Sequence, residues 1–114
     1  MTAVPQTTSI FRVDKFIVPE AARDAFVERL RTIQTLLDNL EGCLQNLVLE
    51  QVSGPGTFNF VTIVEWASQE AMENARAIAA AEYARTSFNP QAFMQELGIT
   101  ADMGNYGGIR SAAG

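Results

Sequence analysis

The sequence predicts an α+β fold with the element order β-α-β-β-α-β, and three observations carry that prediction. Two β-rich runs, 43–52 and 57–66, flank the four turn-forming residues Ser53-Gly54-Pro55-Gly56. A single apolar stripe at helical spacing lies between the first of these runs and an earlier β-rich run at 9–18. A second helix-forming stretch follows the hairpin, and a last β-like segment follows that.

Residues 9–18, SIFRVDKFIV, are β-branched and aromatic and read as the first strand. Pro19 then suits the first position of a helix, where its missing N–H is not needed. Phe26, Leu30, Ile33, Leu37 and Leu40 form the stripe of that helix, and Gly42 stands where a left-handed residue would end it. After the hairpin, Ser68 is placed to cap a helix over 69–85 built from Ala, Met, Glu and Arg. Asn89 and Pro90 restart the chain as a short helix, PQAFMQEL, that stops at Gly98. Met103–Ile109 is the candidate for a fourth strand. Residues 1–8 read as a disordered segment, 9–109 as the domain and 110–114 as a loose tail.

This order is that of a ferredoxin-like antiparallel sheet with helices on one face. Such a sheet alternates apolar and polar residues when its other face is wet, and these strands do not. One face of the third strand carries Phe58, Phe60, Val64 and Trp66, while the other carries Val61 and Ile63. The second strand offers Leu44 and Val48 on one side and Leu47 and Leu49 on the other. The helices cover one face only, so a second copy of the chain is expected on the other, giving a homodimer.

Composition narrows the function. At 114 residues the chain is one domain, with 47% hydrophobic and 18% charged residues, as globular proteins have. Its net charge of −5 argues against nucleic acid as a partner. Zero histidines remove Ser-His-Asp and Cys-His nucleophiles, imidazole-based zinc sites and haem on a proximal His. The single cysteine, Cys43, excludes an internal disulfide and a CxxC motif, and reads as a small buried hydrophobe. No apolar run reaches the roughly 20 residues of a membrane span, and Met1–Thr8 lacks the pattern of a secretory signal. The expected setting is cytoplasmic, without membrane contact.

With these elements in hand, the chain resembles the antibiotic biosynthesis monooxygenase family of dimeric α+β barrels. Four segments carry the resemblance: "FIVPEAARDAFVERL" after the first strand, "LEGCLQN" at the second, "VEWASQEAMENA" at the third strand and following helix, and "ELGITADM" near the end. The resemblance implies a ligand pocket between sheet and helices in each subunit. It also implies members that oxidise polyketide quinols without flavin, metal or haem, the deprotonated substrate itself reducing oxygen. Trp66 matches the family's Trp, whereas Thr62 and Met72 stand where an Asn and a Tyr are usual. Arg85 falls near a substrate-contacting Arg, and Asp14 near an Asn of the haem-degrading branch. That branch also needs a His, which this chain lacks.

The residues themselves keep two readings each. Trp66 plugs the core, or lines the pocket and donates to a ligand oxygen. Asp14 pairs with Arg12 or Lys15 at an edge, or sits in a cavity as a general base. Tyr83 packs in the core or donates to a phenolate, and Arg85 is explained equally by the helix dipole. Asn46 and Thr62 are pocket contacts or strand filler. Tyr106, in a glycine-rich segment, docks at a partner or over the pocket. Met72, Met94 and Met103 fill the core or form a wall for a flat apolar ligand.

The resulting expectation is a cofactor-free monooxygenase acting on a small phenolic, quinol or polyketide-like molecule. Trp66, Asp14 and Tyr83 are its expected catalytic residues. Phe60, Thr62, Asn46, Met72, Arg85 and Tyr106 are the expected substrate contacts, and no metal is expected. Two alternatives stand beside it: a small-molecule-binding barrel without turnover, and an isomerase or lyase of the same architecture.

Overall fold

A computed structural model describes residues 9–109; the segments 1–8 and 110–114, read above as a disordered start and a loose tail, lie outside the described residues. The strands are β1 (Ile10–Ile17), β2 (Cys43–Glu50), β3 (Phe60–Trp66) and β4 (Thr100–Tyr106). The helices are α1 (Arg23–Asp38), α2 (Gln69–Arg85) and α3 (Pro90–Leu97). The four strands form one antiparallel sheet in the order β2-β3-β1-β4, the ferredoxin-like arrangement, with the short α3 added before the last strand. No helix among the described residues is long and apolar enough to cross a membrane.

Caps explain three of the helix ends. Ser68 Oγ accepts from the Ala71 N–H at 3.1 Å and starts α2. Asn89 Oδ1 accepts from the Ala92 N–H at 3.0 Å, with Pro90 in the first turn of α3. Gly98 closes α3 in the left-handed region at φ 70°, while the Ile99 N–H reaches back to the Met94 carbonyl. That reversal is tight enough for pairing to begin at once. Thr100 sits opposite Ile17, so β4 occupies 100–106 rather than the 103–109 read from the sequence.

Three other expectations shift. Pro19 does not open α1: with ψ at 146° it precedes a 3-10 turn, Glu20–Ala22, and the helix proper begins at Arg23. Gly42 is not the residue that ends α1, which stops at Asp38 with Asn39 as its cap. The hairpin connection runs from 51 to 59 because Gln51 donates to the carbonyls of Gly54 and Gly56, and the amide of Asn59 clamps Val18. Both Asn59 bonds, to the N–H and the carbonyl of Val18, are 2.8 Å. Phe58 therefore precedes β3, with the Lys15 ammonium 5.4 Å from its ring centre.

A bulge completes the departures. Cys43 opposes Trp66 and Gln45 opposes Glu65, so Leu44 is the extra residue and is 58% exposed rather than facing inward with Val48.

The core lies between the sheet and the helices, and it comes in two parts. Phe16, Val18, Ala22, Phe26, Leu30, Phe60 and Ile99 form one, in which the ring of Phe26 stands edge-on to Phe16 at 5.0 Å and to Phe60 at 5.2 Å. Val64, Trp66, Met72 and Ala75 form the other, with Ile10, Leu37, Leu40 and Cys43 against it. On the opposite face, alternation and register align Leu47, Ile63 and Val13 in one row across the sheet and Leu49 and Val61 in the next.

Gly42 sits at the tightest approach. It adopts φ 85°, and a Cβ there would stand 2.5 Å from the Ala71 Cβ at the start of α2. Gly42→Ala should therefore destabilise the fold by about 2 kcal/mol through left-handed strain plus the clash, read from urea unfolding. An unchanged midpoint would mean that the α2 start yields at little cost.

Candidate active site

Between the two halves of the core the sheet and helices enclose a cavity of about 370 Å³, within the range of small-molecule sites. Its floor is the helix-facing side of the strands: Arg12, Asp14 and Phe16 on β1, Asn46 and Val48 on β2, Thr62, Val64 and Trp66 on β3, and Met103 on β4. The period of two along each strand is what collects these residues on one side. The wall from α1 continues its apolar stripe as Leu30, Ile33 and Leu37, with Gln34 beside them. The wall from α2 is different in kind. Met72, Ala75, Arg76, Ala79, Ala80 and Tyr83 recur at helical spacing, and the alanines leave the space that larger side chains would fill.

Six of the nine expected site residues meet there: Trp66, Asp14, Tyr83, Thr62, Asn46 and Met72. Three do not. Phe60 is 2% exposed within the aromatic half of the core, beside the cavity rather than on its wall. Arg85 lies at the end of α2 and is held by Glu82 at 2.6 Å. Tyr106 pairs opposite Phe11 on the other face of the sheet, with its ring folded over Gly104, where a Cβ would come within 2.9 Å. Met72, Met94 and Met103 all line the cavity.

Asp14 combines its two readings. It lies on β1, an interior strand paired on both sides, so it is not at a sheet edge. Its Oδ1 accepts from Arg12 Nε at 2.6 Å, and Arg12 Nη2 reaches the Met103 sulfur at 3.2 Å. Burial pushes the Asp14 carboxyl above the usual carboxylate range, and the hydrogen bond and charge of Arg12 pull it only part of the way back. Among the described residues it is the only acid lining the cavity.

Three donors share the cavity with it. Trp66 is 3% exposed, four residues along β3 from Thr62, on the same side of the sheet. Tyr83 enters from α2, with Phe88 edge-on at 5.4 Å and the Arg29 guanidinium 5.8 Å from its ring centre. Among the described residues, the Trp66 indole N–H and the Thr62 and Tyr83 hydroxyls have no hydrogen-bond partner. Burial raises the Tyr83 phenol, Arg29 works against that, and the charge of Asp14 adds to the rise. Tyr83 is thus a neutral donor at neutral pH, not a base.

Asn46 has a structural task as well. Its Nδ2 donates to the Gln34 carbonyl and to Asp38 Oδ1, both at 3.0 Å, which ties β2 to α1 and leaves its side-chain oxygen for a ligand. Cys43 is half-buried, its thiol raised by burial and by Asp38, and it is off the cavity wall. No cluster of His, Cys, Asp or Glu able to hold a metal occurs among the described residues.

Arg76 and Gln34 are cavity residues that the sequence reading missed. Arg76 had a usable signal, its i+4 spacing from Met72, but the alanine-rich α2 has too weak an apolar stripe to show which side faces inward.

Comparison with known proteins agrees with this architecture. The sequence model of the family described as antibiotic biosynthesis monooxygenase matches residues 9–85. No curated protein matches the chain in sequence. Among solved structures, the chain is similar to a mutant of SnoaB, a cofactor-independent oxygenase from Streptomyces nogalater. That pair shares 16% identity over 92% of this chain and 97% of the other, with a TM-score of 0.63. MhuD, a heme-degrader from Mycobacterium tuberculosis with two hemes bound in its active site, is 21% identical over 90% and 98%, with a TM-score of 0.65. A conserved protein from Methanosarcina mazei aligns at 16% identity over 88% and 92%, with a TM-score of 0.68.

The carboxyl of Asp14 offers a direct check on the site. The folded chain holds this proton more tightly than the unfolded chain, so the group favours folding at low pH, and that contribution is lost as pH rises through the raised folded value. Arg12→Gln removes the opposing influence and should move the Asp14 titration further upward in carbon-detected NMR. A midpoint that stays put or falls would show that Arg12 does not hold the carboxylate.

Proposed function

The chain belongs to the antibiotic biosynthesis monooxygenase family, and from that premise we propose that it oxidises a small phenolic, quinol or polyketide-like substrate with molecular oxygen, using no cofactor. One observation supports this reading above the rest: the single carboxylate on the cavity wall, raised by burial and paired with Arg12, shares that apolar cavity with three hydrogen-bond donors that have no partner among the described residues. Asp14 acts as general base on the acidic hydrogen of the substrate, its raised proton affinity making it a stronger base than an ordinary carboxylate. The anion so formed is held by the Trp66 N–H and the Tyr83 and Thr62 hydroxyls, donors already in place on a largely apolar wall. The apolar walls keep the ring flat against Val64 and Met72 and leave room for oxygen.

The electrons come from the substrate. Its carbanion form combines with oxygen and one proton to give a carbon-bound hydroperoxide. Loss of water from a C(H)–OOH centre then leaves a C=O group. One oxygen atom enters the product and the other leaves as water, so no external reductant is required. Haem chemistry of the MhuD kind is not proposed, because the chain has no histidine to supply an imidazole ligand.

A second reading uses the same base and donors without oxygen. Asp14 and a neutral Tyr83 on one cavity are a fit pair for moving a proton across a small lactone or polyketide, as an isomerase or lyase does. Oxygen electrode and anaerobic assays with a dihydroxynaphthalene or anthrone probe separate the two. The expected result is oxygen uptake that survives chelation and falls on the order of 100-fold in Trp66→Phe, the cost of losing one oxyanion donor. Uptake untouched by that substitution would remove Trp66 from the reaction, and product formed without oxygen would favour the second reading.

The active form is proposed to be a homodimer. Leu47, Ile63, Val13, Leu49 and Val61 lie on the face of the sheet that none of the three helices covers, and Leu49 and Tyr106 are 45% and 48% exposed there. A second copy of the chain laid sheet to sheet buries this surface. Light scattering after gel filtration should report a dimer at micromolar concentration and a monomer for Ile63→Lys. A monomeric unaltered chain would sink the proposal.

A further inference from the structure

The charge balance of the cavity bears on which substrates it takes. Its wall carries three charged side chains, Arg12, Asp14 and Arg76. The first two answer each other at 2.6 Å. Arg76 answers nothing: among the described residues it makes no ion pair and no hydrogen bond. Three other arginines are occupied, and Arg31, which has no ion pair among the described residues, lies off the cavity wall. Arg23 is held by Glu50 and Asp24, Arg85 by Glu82, and Arg29 lies 3.3 Å from the centre of the Phe88 ring. On its own helix the acid at i−3, Glu73, accepts instead from Gln69, and position i+4 is Ala80. The cavity thus holds one unanswered positive charge in a chain whose net charge is −5.

We propose that Arg76 receives a carboxylate of the substrate, so that the cavity selects aromatic hydroxy acids over neutral phenols. This rests on the reading of the cavity as an aromatic substrate site and adds the substrate's charge to it. A guanidinium offers a planar fork matched to a carboxylate, and Arg76, though exposed, borders an apolar cavity where such a pair is less screened than on open surface. The helix also sets a length. Arg76 precedes Tyr83 by about 10 Å along the α2 axis, and Ala75, Ala79 and Ala80 leave the intervening wall low. A molecule with its acid at Arg76 and its ionisable hydroxyl near Tyr83 and Asp14 therefore spans about two fused rings.

The test uses the full chain with 6-hydroxy-2-naphthoate and its uncharged methyl ester, read through fluorescence of Trp66, the one tryptophan, which lines the cavity. The acid should bind roughly fivefold or more tightly than the ester, against the overall negative charge of the chain, and added salt should narrow the gap. Arg76→Gln should close the gap by weakening the acid alone, and Arg76→Lys should restore part of it. Equal binding of acid and ester to the unaltered chain overturns this inference and leaves the cavity reading in place. A Gln variant that weakens both probes alike overturns it too. If neither probe binds, the aromatic-site reading falls, and this inference with it.

Discussion

A core that is packed at its two ends and open in the middle governs this structure. At one end the edge-on rings of Phe16, Phe26 and Phe60 tie β1, α1 and β3 together; at the other, Trp66 closes against Met72 and Ala75. The helices are held over the sheet by these two anchors, and the strands between them contribute polar residues that a closed core would not accept. Arg12, Asp14, Thr62 and Asn46 on the helix-facing side would be costly to seal away from water or a ligand. In a chain of 114 residues, which has little core to spare, leaving that volume unfilled is a substantial concession to function.

The electrostatics of the open region follow from the same arrangement. Burial raises both Asp14 and Tyr83, but the two shifts have opposite uses. A carboxylate made harder to ionise is a better base, whereas a phenol made harder to ionise stays a donor. Arg12 offsets part of the rise at the carboxylate, and Arg29, 5.8 Å from the centre of the Tyr83 ring, tempers the rise there. In the proposed reaction, two similar perturbations leave one group to take a proton and the other to steady the charge that results.

Much of this was legible in the sequence, for reasons that differ by element. The stripe from Phe26 to Leu37 and the caps at Ser68 and Asn89 are local signals, and the structure uses them as read. The failures lie where a distant contact decides. Gly42 matters through Ala71 rather than as a helix stop, and the hairpin lengthens because Gln51 and Asn59 engage the loop and Val18. In the site, strand parity brings Asp14, Thr62 and Trp66 to one face, a relation that alternation makes visible. The same parity puts Tyr106 on the other face once its pairing with Phe11 is known, and that register could not be read from the glycine-rich segment. Arg76 stayed hidden because an alanine-rich helix says little about which side is inward.

That alanine-rich wall has a consequence for how such a protein can diversify. The cavity is bounded on the α2 side by Ala75, Ala79 and Ala80, and two of these three, Ala79 and Ala80, lie outside both halves of the core. Changing either one redraws the shape of the chamber without touching the aromatic anchors, the caps or the central strands. Helix propensity is little altered by a swap to Leu or Met, so such changes cost the scaffold little. Selection can therefore retune the guest at one helix face while the host fold drifts independently, a separation that lets distantly related sequences keep one architecture and part company in what they accommodate.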